Sequence, residues 1–213
     1  MPQMSLYPGV DAQAIPLPGA DLTLLPGPDL GKPAAAVLEE LLVDTPWRQE
    51  TITLFGKTHP QPRLLAWYGE KKAHYRYSGK TYEPQPFTPL LADLRQRMED
   101  LAGAPFNSVL LNYYRDQRDS MGLHADDEPE LGREPVIASL SLGEERVLYF
   151  RPKRERDLGA LDLKLPSGSV LLMRGATQDN WKHGVRKLRR CCGPRLNLTF
   201  RHVQLRAGSP DAR

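Results

Sequence analysis

The segment Arg195-Leu196-Asn197-Leu198-Thr199-Phe200-Arg201 alternates polar and apolar residues without a break. Side chains two residues apart point to the same face of an extended strand, so the four polar residues share one face and the three apolar residues share the other. This pattern indicates the wall of a barrel with a polar pocket inside and hydrophobic packing outside. The two arginines suit a carboxylate ligand, because a guanidinium grips it in two places and keeps its proton. An exposed edge strand with a charged face would show the same alternation.

Seven further strand patterns precede this one. All eight are short and bounded by turn residues, and they cover 109–114, 121–126, 136–142, 146–151, 160–165, 169–174, 180–185 and 195–202. Eight such strands predict a mainly β fold with flanking α-helices, namely a double-stranded β-helix, the cupin-like jelly-roll. Helices are expected at 32–43 and 88–102, where Pro33 and Thr88-Pro89 are start signals and Gly103 is a stop signal.

Three residues in this region form a candidate metal site. His124 and Asp126 are two residues apart in a predicted strand, so their side chains share a face, and His183 precedes the arginine strand. Two imidazoles and one carboxylate can bind one face of an Fe(II) ion and leave the other positions open for O₂ and a chelating cosubstrate. The sequence therefore predicts a non-haem iron oxygenase.

Each part of this site also has a simpler interpretation. An isolated H-x-D triplet is common in acidic surface loops, and Asp127, Glu128 and Glu130 follow directly. An isolated His183 is more often a surface or partly buried histidine. The order and spacing of the polar strand, the triplet, the later histidine and the paired arginines together favour the metal site.

A family resemblance rests on these same residues. The matching motifs are Asn112-x-Tyr114, His124-x-Asp126-x-Glu128, Ile137 to Gly143, His183 and Arg195 to Arg201. They resemble the AlkB family of Fe(II)/2-oxoglutarate dioxygenases, and the resemblance covers roughly Leu42 to Val203. Upstream of these motifs, Phe55-Gly-Lys57, Pro62-Arg63, Tyr68-Gly69 and Tyr75 to Gly79 look more like the animal DNA-repair members than the bacterial founding member.

The resemblance implies a function and its cofactors. It implies oxidative demethylation of 1-methyladenine and 3-methylcytosine in DNA, with base flipping and release of formaldehyde, succinate and CO₂. Fe(II), 2-oxoglutarate and O₂ would be required, with His124, Asp126 and His183 as metal ligands. The residues expected to bind 2-oxoglutarate are Asn112, Tyr114, Arg195, Asn197 and Arg201. The residues expected to contact substrate are Phe55 as a duplex wedge, Tyr77 as a stacking ring, and Arg63, Tyr75, Asp127 and Glu128.

Composition supports a nucleic-acid partner. Residues 55–82 mix cations with large aromatics, a combination that can grip phosphates and stack on bases. A β-hairpin with ordinary cross-strand aromatic pairs would explain Tyr75 and Tyr77 equally well. Residues 151–206 contain 14 Lys and Arg against four Asp and Glu. Two basic runs, Arg151 to Arg156 and Lys182 to Arg190, would form a positive surface there. A single run of this kind is often a solvated loop, but two beside a candidate active-site histidine favour a polyanion.

The chain is expected to form one domain. Residues 1–30 contain six prolines and predict a flexible or wrapping arm; residues 31–206 form the dioxygenase domain, and 207–213 a disordered tail. The domain would contain a nucleotide-recognition lid at about 44–84 and the jelly-roll at about 107–203. No membrane span or signal peptide is apparent, and the adjacent Cys191 and Cys192 imply no disulfide framework. A cytoplasmic monomer, associated with the nucleoid if bacterial, is expected.

Three other functions remain open at this point. An RNA or tRNA demethylase or hydroxylase would use the same iron and the same stacking residues. A protein-directed 2-oxoglutarate oxygenase would leave the basic, aromatic lid without a purpose. A nucleic-acid-binding module with a relic metal site would bind DNA without consuming O₂.

Overall fold

The computed structural model describes residues 11–54, 56–71, 75–77, 80–82, 84–154 and 156–204. The helices are α1 Ala34–Asp44, α2 Pro89–Ala102 and α3 Thr177–Asn180, with 3₁₀ turns at Pro129–Leu131 and Arg156–Leu158. The strands in chain order are β1 Gln13–Ala14, β2 Asp21–Leu25, β3 Thr51–Leu54, β4 Lys57–Pro60, β5 Leu64–Gly69, β6 Tyr75–Tyr77, β7 Lys80–Tyr82, β8 Ser108–Tyr114, β9 Met121–His124, β10 Ile137–Gly143, β11 Arg146–Pro152, β12 Leu161–Leu165, β13 Val170–Arg174, β14 Trp181–Val185 and β15 Arg195–Arg201.

Two antiparallel sheets form the body of the protein. The major sheet has the order β1-β2-β13-β10-β15-β8-β5, and the minor sheet has the order β12-β11-β14-β9. Strands distant in sequence are neighbours, as in a jelly-roll. The predicted mainly β fold with flanking helices is therefore confirmed, and the eight predicted strands correspond to β8 to β15 within two residues at each end.

The apolar face of β15 packs as its alternation predicts. Leu196, Leu198 and Phe200 are fully buried in one hydrophobic cluster with the inward faces of α1 and α2. A buried leucine or phenylalanine contributes roughly 1.5–3 kcal/mol relative to an exposed one. The polar face of β15 points the other way, toward the space between the two sheets. The strand thus supports the helices on one side and supplies pocket residues on the other.

The long helix α2 follows its sequence signals closely. The Thr88 hydroxyl accepts a hydrogen bond from the Leu91 N–H at 3.2 Å, and Pro89 occupies the first turn. Gly103 ends the helix at φ 65°, a left-handed conformation that glycine adopts without strain. Helix α1 begins at Ala34, one residue after Pro33, and ends at Asp44.

The N-terminal segment corrects one expectation. Residues 11–30 do not form a flexible arm: β2 pairs with β13 along its whole length and extends the major sheet. Leu22, Leu24 and Leu25 are buried there. The prolines in this segment lie outside its strands, so the proline count was a poor guide to order. Residues 1–10 and 205–213 lie outside the described range.

The predicted lid is divided between the sheet and two hairpins. β3 pairs with β4 and β6 with β7, whereas β5 pairs with β8 in the major sheet. Trp67 and Tyr68 on β5 are 7% and 3% exposed, so these two aromatics belong to the core and not to a nucleic-acid surface. In a sheet strand covered on both faces, neighbouring large residues are both buried.

No helix in the described part of the chain is long and apolar enough to span a membrane. Cys191 and Cys192 are free thiols, with Cys191 exposed.

Candidate active site

The structure brings the three candidate metal ligands together. His124 and His183 face each other across the β9–β14 pair, with ring centroids 4.4 Å apart. His124 Nε2 lies 3.9 Å from Asp126 Oδ1, and His183 Nε2 lies 3.9 Å from Asp126 Oδ2. One donor atom from each residue lies within 4.8 Å of the others, and this is the one such cluster of His, Cys, Asp and Glu found among the described residues.

Strand alternation does not place Asp126. β9 ends at His124, so Asp126 lies in the loop beyond the strand, contrary to the predicted strand 121–126. Two other contacts hold it. Arg201 Nη2 donates to Asp126 Oδ1 at 2.5 Å, and the Asp126 backbone N–H donates to Gln178 Oε1 at 3.0 Å.

The charge state of Asp126 is set by its neighbours. Burial alone would raise its pKa, but Arg201 and the two histidines together bring the pKa of Asp126 below its ordinary value. With Oδ1 bonded to Arg201, the buried Oδ2 has no hydrogen-bond partner within the described residues. A carboxylate with one oxygen anchored and the other unpaired is suited to bind a cation through the second oxygen.

The imidazoles are held in the neutral form that a metal requires. Burial lowers the pKa of His183 to about 3, with a smaller contribution from the charge of His124. Burial also lowers the pKa of His124, although Asp126 opposes that shift. His124 Nδ1 lies 3.0 Å from the Gly122 carbonyl oxygen, which can only accept, so Nδ1 carries the proton and Nε2 has a free lone pair.

Arg195 is a buried cation at the other end of the pocket. It is 2% exposed, and its Nη2 donates to Ser141 Oγ at 2.9 Å. Its Nε and Nη1 have no hydrogen-bond partner among the described residues. Burial lowers the pKa of the Arg195 guanidinium, while the neighbouring Tyr114 opposes the shift. Because unpaired buried N–H groups are costly, Arg195 is suited to bind a carboxylate.

A polar wall connects Arg195 with the metal ligands. Asn197 Nδ2 donates to Ser139 Oγ at 2.8 Å, and Thr199 Oγ1 donates to Asn197 Oδ1 at 3.2 Å. β15 pairs with β10 on one side and with β8 on the other, so Asn197 lies opposite Asn112. The predicted 2-oxoglutarate residues thus line one pocket: Asn112, Tyr114, Arg195, Asn197 and Arg201. The apolar side of the pocket is formed by Met121, Leu148 and Met173.

The predicted substrate residues are less well grouped. Arg63 is 4% exposed, and its Nε donates to Asn112 Oδ1 at 2.8 Å, so it contacts a residue of the predicted 2-oxoglutarate site. Asp127 pairs with Lys153 Nζ at 2.6 Å, and Glu128 is half-buried just before a 3₁₀ turn. Phe55 and the side chains of Tyr75 and Tyr77 lie outside the described residues.

These features fit the cofactors of a 2-oxoglutarate oxygenase. Two neutral imidazoles and a carboxylate with one free oxygen make up a facial set of ligands for Fe(II). The buried Arg195 guanidinium offers two N–H groups to a dicarboxylic acid bound beside the metal.

The sequence model of the 2OG-Fe(II) oxygenase superfamily matches residues 21–201. The chain belongs to this superfamily. Within it, curated relatives carry AlkB names, and this oxygenase is a member of the AlkB family. The human "Alpha-ketoglutarate-dependent dioxygenase alkB homolog 3" is 46% identical over 180 residues, covering 81% of this chain and 62% of the relative. The human "DNA oxidative demethylase ALKBH2" is 38% identical over 160 residues, covering 72% of this chain and 61% of the relative.

The oxygenase therefore spans about three fifths of the length of these curated relatives. Among solved structures, OsALKBH1 matches with a TM-score of 0.60 at 17% identity and covers 90% of this chain and 99% of that one. At this identity the likeness concerns the fold alone. The superfamily to which the chain belongs is that of Fe(II)/2-oxoglutarate-dependent oxygenases, which agrees with the ligand set found here.

Sequence reasoning missed several residues of the site. Ser139 and Ser141 accept hydrogen bonds from Asn197 and Arg195, and their spacing of two in a predicted strand could have identified them. Gln178 holds the backbone of Asp126 from a four-residue helix, and no pattern in the sequence points to it.

Proposed function

We propose that this oxygenase removes N-methyl groups from damaged DNA bases, with 1-methyladenine and 3-methylcytosine as substrates. The observation that supports the proposal most directly is the cluster of the half-buried His124 with the buried His183 and Asp126, in one pocket with the partly unpaired guanidinium of Arg195. Membership of the family supports 2-oxoglutarate as the cosubstrate, and the name of one relative, DNA oxidative demethylase, supports methylated DNA as the substrate class.

Each end of the pocket has a separate task. His124, His183 and Asp126 would hold the iron. Arg195 and Tyr114 would bind the distal carboxylate of 2-oxoglutarate, while Asn112, Asn197 and Arg201 would orient the end beside the metal. When bound, iron with 2-oxoglutarate and O₂ supplies the oxidation that converts an N-methyl group to N-hydroxymethyl, with succinate and CO₂ as co-products. The hydroxymethyl group then leaves as formaldehyde and the base is restored.

The protein itself contributes orientation and charge. Arg201 holds Asp126 in its ionised form and fixes one of its oxygens, so the ligand cannot rotate away from the histidines. A fixed cosubstrate and a fixed metal leave one direction open for the methyl group, and such alignment lowers the barrier to reaction. The apolar residues Met121, Leu148 and Met173 limit water on the remaining side.

Charge also supports a methylated base as substrate. Methylation at N1 of adenine or N3 of cytosine makes the base cationic and blocks its pairing edge, so the base leaves the duplex at low cost. The acidic Asp127 and Glu128 follow the metal ligand Asp126 in the chain. Either carboxylate could contact a cationic base, and Asp127 also forms an ion pair with Lys153.

The test is a comparison of four oligonucleotides of one sequence. Single-stranded DNA, duplex DNA and single-stranded RNA each carry one 3-methylcytosine, and the fourth is unmethylated DNA. With Fe(II), 2-oxoglutarate and O₂, we expect methylated DNA to lose about 14 mass units, equal to one CH₂, with one formaldehyde released per base. We expect no change with the His183→Ala variant. Repair of RNA alone would replace the proposal with an RNA demethylase. Succinate formation without any nucleic-acid repair would point to a protein substrate.

A further inference from the structure

The position of Asp126 needs an explanation that the strand does not give. Because β9 ends at His124, neither the ladder with β14 nor the side-chain alternation reaches Asp126. Its side chain is held by Arg201, and its main chain donates to Gln178 Oε1 at 3.0 Å. Asp126 and Gln178 are 2% and 1% exposed, so this hydrogen bond is shielded from water.

The Gln178 amide is oriented by contacts at both of its ends. Its oxygen accepts from Asp126, and its Nε2 donates to the sulfur of Met173 at 3.5 Å. A backbone N–H can bond only to the amide oxygen, so the reversed orientation would break both contacts. Gln178 therefore links the loop that carries Asp126 to a residue of β13 that lines the pocket.

The helix that carries Gln178 is itself anchored. Thr177 Oγ1 accepts from the Asp21 N–H at 2.9 Å, and Asn180 Nδ2 donates to the Gly19 carbonyl at 2.7 Å. One residue past the helix, the buried Trp181 donates from Nε1 to the Pro18 carbonyl at 2.9 Å. The segment 18–21 thus contacts α3 at two residues and the first residue of β14 at a third, and these contacts fix the position of Gln178.

We propose that Gln178 is a positioning residue for the metal ligand Asp126. Arg201 fixes the carboxylate and Gln178 fixes the backbone, so together they determine where the unpaired Oδ2 lies relative to the two imidazoles. Without the Gln178 oxygen, a buried N–H loses its partner and the loop gains freedom to move Asp126 away. The inference rests on the proposed iron-dependent function, but it concerns metal binding and not substrate choice.

The test measures Mn(II) binding to metal-free protein by electron paramagnetic resonance. Gln178→Met keeps the length of the side chain and removes the acceptor oxygen. Loss of a group that orients a metal ligand typically weakens metal affinity about 10- to 100-fold, and we expect a rise of that size in the Mn(II) dissociation constant. The 2-oxoglutarate dissociation constant at saturating Mn(II) should change less than about threefold. A general loss of structure would weaken both.

Asp179→Asn is the matched control. Asp179 lies on the same helix, is exposed and takes part in none of the contacts that anchor α3 to segment 18–21, so the Mn(II) affinity of this variant should stay within about twofold of wild type. Equal Mn(II) affinity in Gln178→Met and wild type would overturn the inference. Should Gln178→Met fail to fold, Gln178→Glu retains an acceptor oxygen: hydrogen-exchange protection of the Asp126 amide like that of wild type supports the inference, and its loss overturns it.

The two proposals fail in different ways. Wild-type protein that binds Mn(II) and 2-oxoglutarate but repairs no methylated DNA would contradict the proposed function and leave the role of Gln178 intact. Repair of methylated DNA by the wild-type protein, together with unchanged Mn(II) affinity in Gln178→Met, would support the proposed function and contradict the role of Gln178.

Discussion

Replacement of Arg195 by Met should weaken 2-oxoglutarate binding and yet not destabilise the cosubstrate-free protein. Truncation of one partner in a buried, hydrogen-bonded charge pair costs about 2–5 kcal/mol, and each 1.4 kcal/mol is tenfold in affinity, so the dissociation constant should rise roughly 30- to 3,000-fold. The range is wide because Tyr114 and the far end of the pocket also hold the cosubstrate.

The expected effect on stability comes from the hydrogen bonds of Arg195. Without cosubstrate, its Nε and Nη1 are buried and unpaired within the described structure. Methionine has a similar volume and no charge, and such replacements of buried charge are often neutral or stabilising by about 1–4 kcal/mol. We therefore expect a Tm for cosubstrate-free Arg195→Met that equals or exceeds that of wild type, and little further rise on addition of 2-oxoglutarate.

Arg146 is the matched control, since it is also an arginine with 2% exposure. Unlike Arg195, it donates to three backbone carbonyls, those of Asp116, Asp119 and Arg186. Arg146→Met leaves these carbonyls without their donor, so it should lower the Tm. The assays are calorimetric titration of 2-oxoglutarate into the Mn(II)-loaded protein and thermal unfolding without ligand. An unchanged dissociation constant, or an equal loss of Tm in both variants, would refute the reasoning.

Three further outcomes are expected. His183→Ala should abolish Mn(II) binding and succinate formation; retained succinate would remove His183 from the ligand set. In metal-free protein, the pKa of His183 near 3 lies below its ordinary 6.5, so the unfolded chain binds a proton that the folded chain does not. Protonation of His183 in the unfolded chain should therefore lower the free energy of unfolding as the pH falls from 6.5 toward 3, by at most about 1.4 kcal/mol per pH unit, and should have no effect above pH 6.5. In urea unfolding, the free energy of His183→Gln should depend less steeply on pH than that of wild type. Phe200→Ala should lower the free energy of unfolding in urea by about 3–5 kcal/mol, against less than about 0.5 kcal/mol for the exposed Val43→Ala; a small Phe200 effect would contradict its place in the core.

The jelly-roll strands could be predicted because their signal is local. β15 alternates without interruption, and the pairing of Ser139 and Ser141 with its polar residues repeats the same period in β10. A side chain that must face either a helix or a pocket has only two choices in a strand, so the pattern alone determines its direction.

The two main departures have non-local causes. Trp67 and Tyr68 lie within the predicted lid at about 44–84, but β5 is paired with β8 about 45 residues later, and this pairing buries them. The N-terminal segment joins the edge of the sheet beside β13, about 150 residues away. Because β8 and β13 lie far along the chain from the strands that they pair with, local composition predicts the wrong environment for β5 and for the N-terminal segment.

In the candidate site, the metal ligands were easier to predict than the contacts that hold them in place. His124 and His183 are opposite each other on paired strands, and the resemblance named both. Asp126 was assigned to a strand that ends two residues earlier, and its actual supports are the side chains of Arg201 and Gln178. The hydrogen bond from Arg63 to Asn112 was also not predicted, and the substrate contact of Arg63 stays a prediction.

β9 forms the outer margin of the minor sheet, and β14 is its neighbour there. An ion bound by His124 and His183 would cross-link these two strands at the edge of the sheet. Loss of the ion would remove a link between β9 and β14, and separation of β9 would expose the edge of β14, where another polypeptide could pair. The ion would therefore contribute to the integrity of the minor sheet as well as to the chemistry.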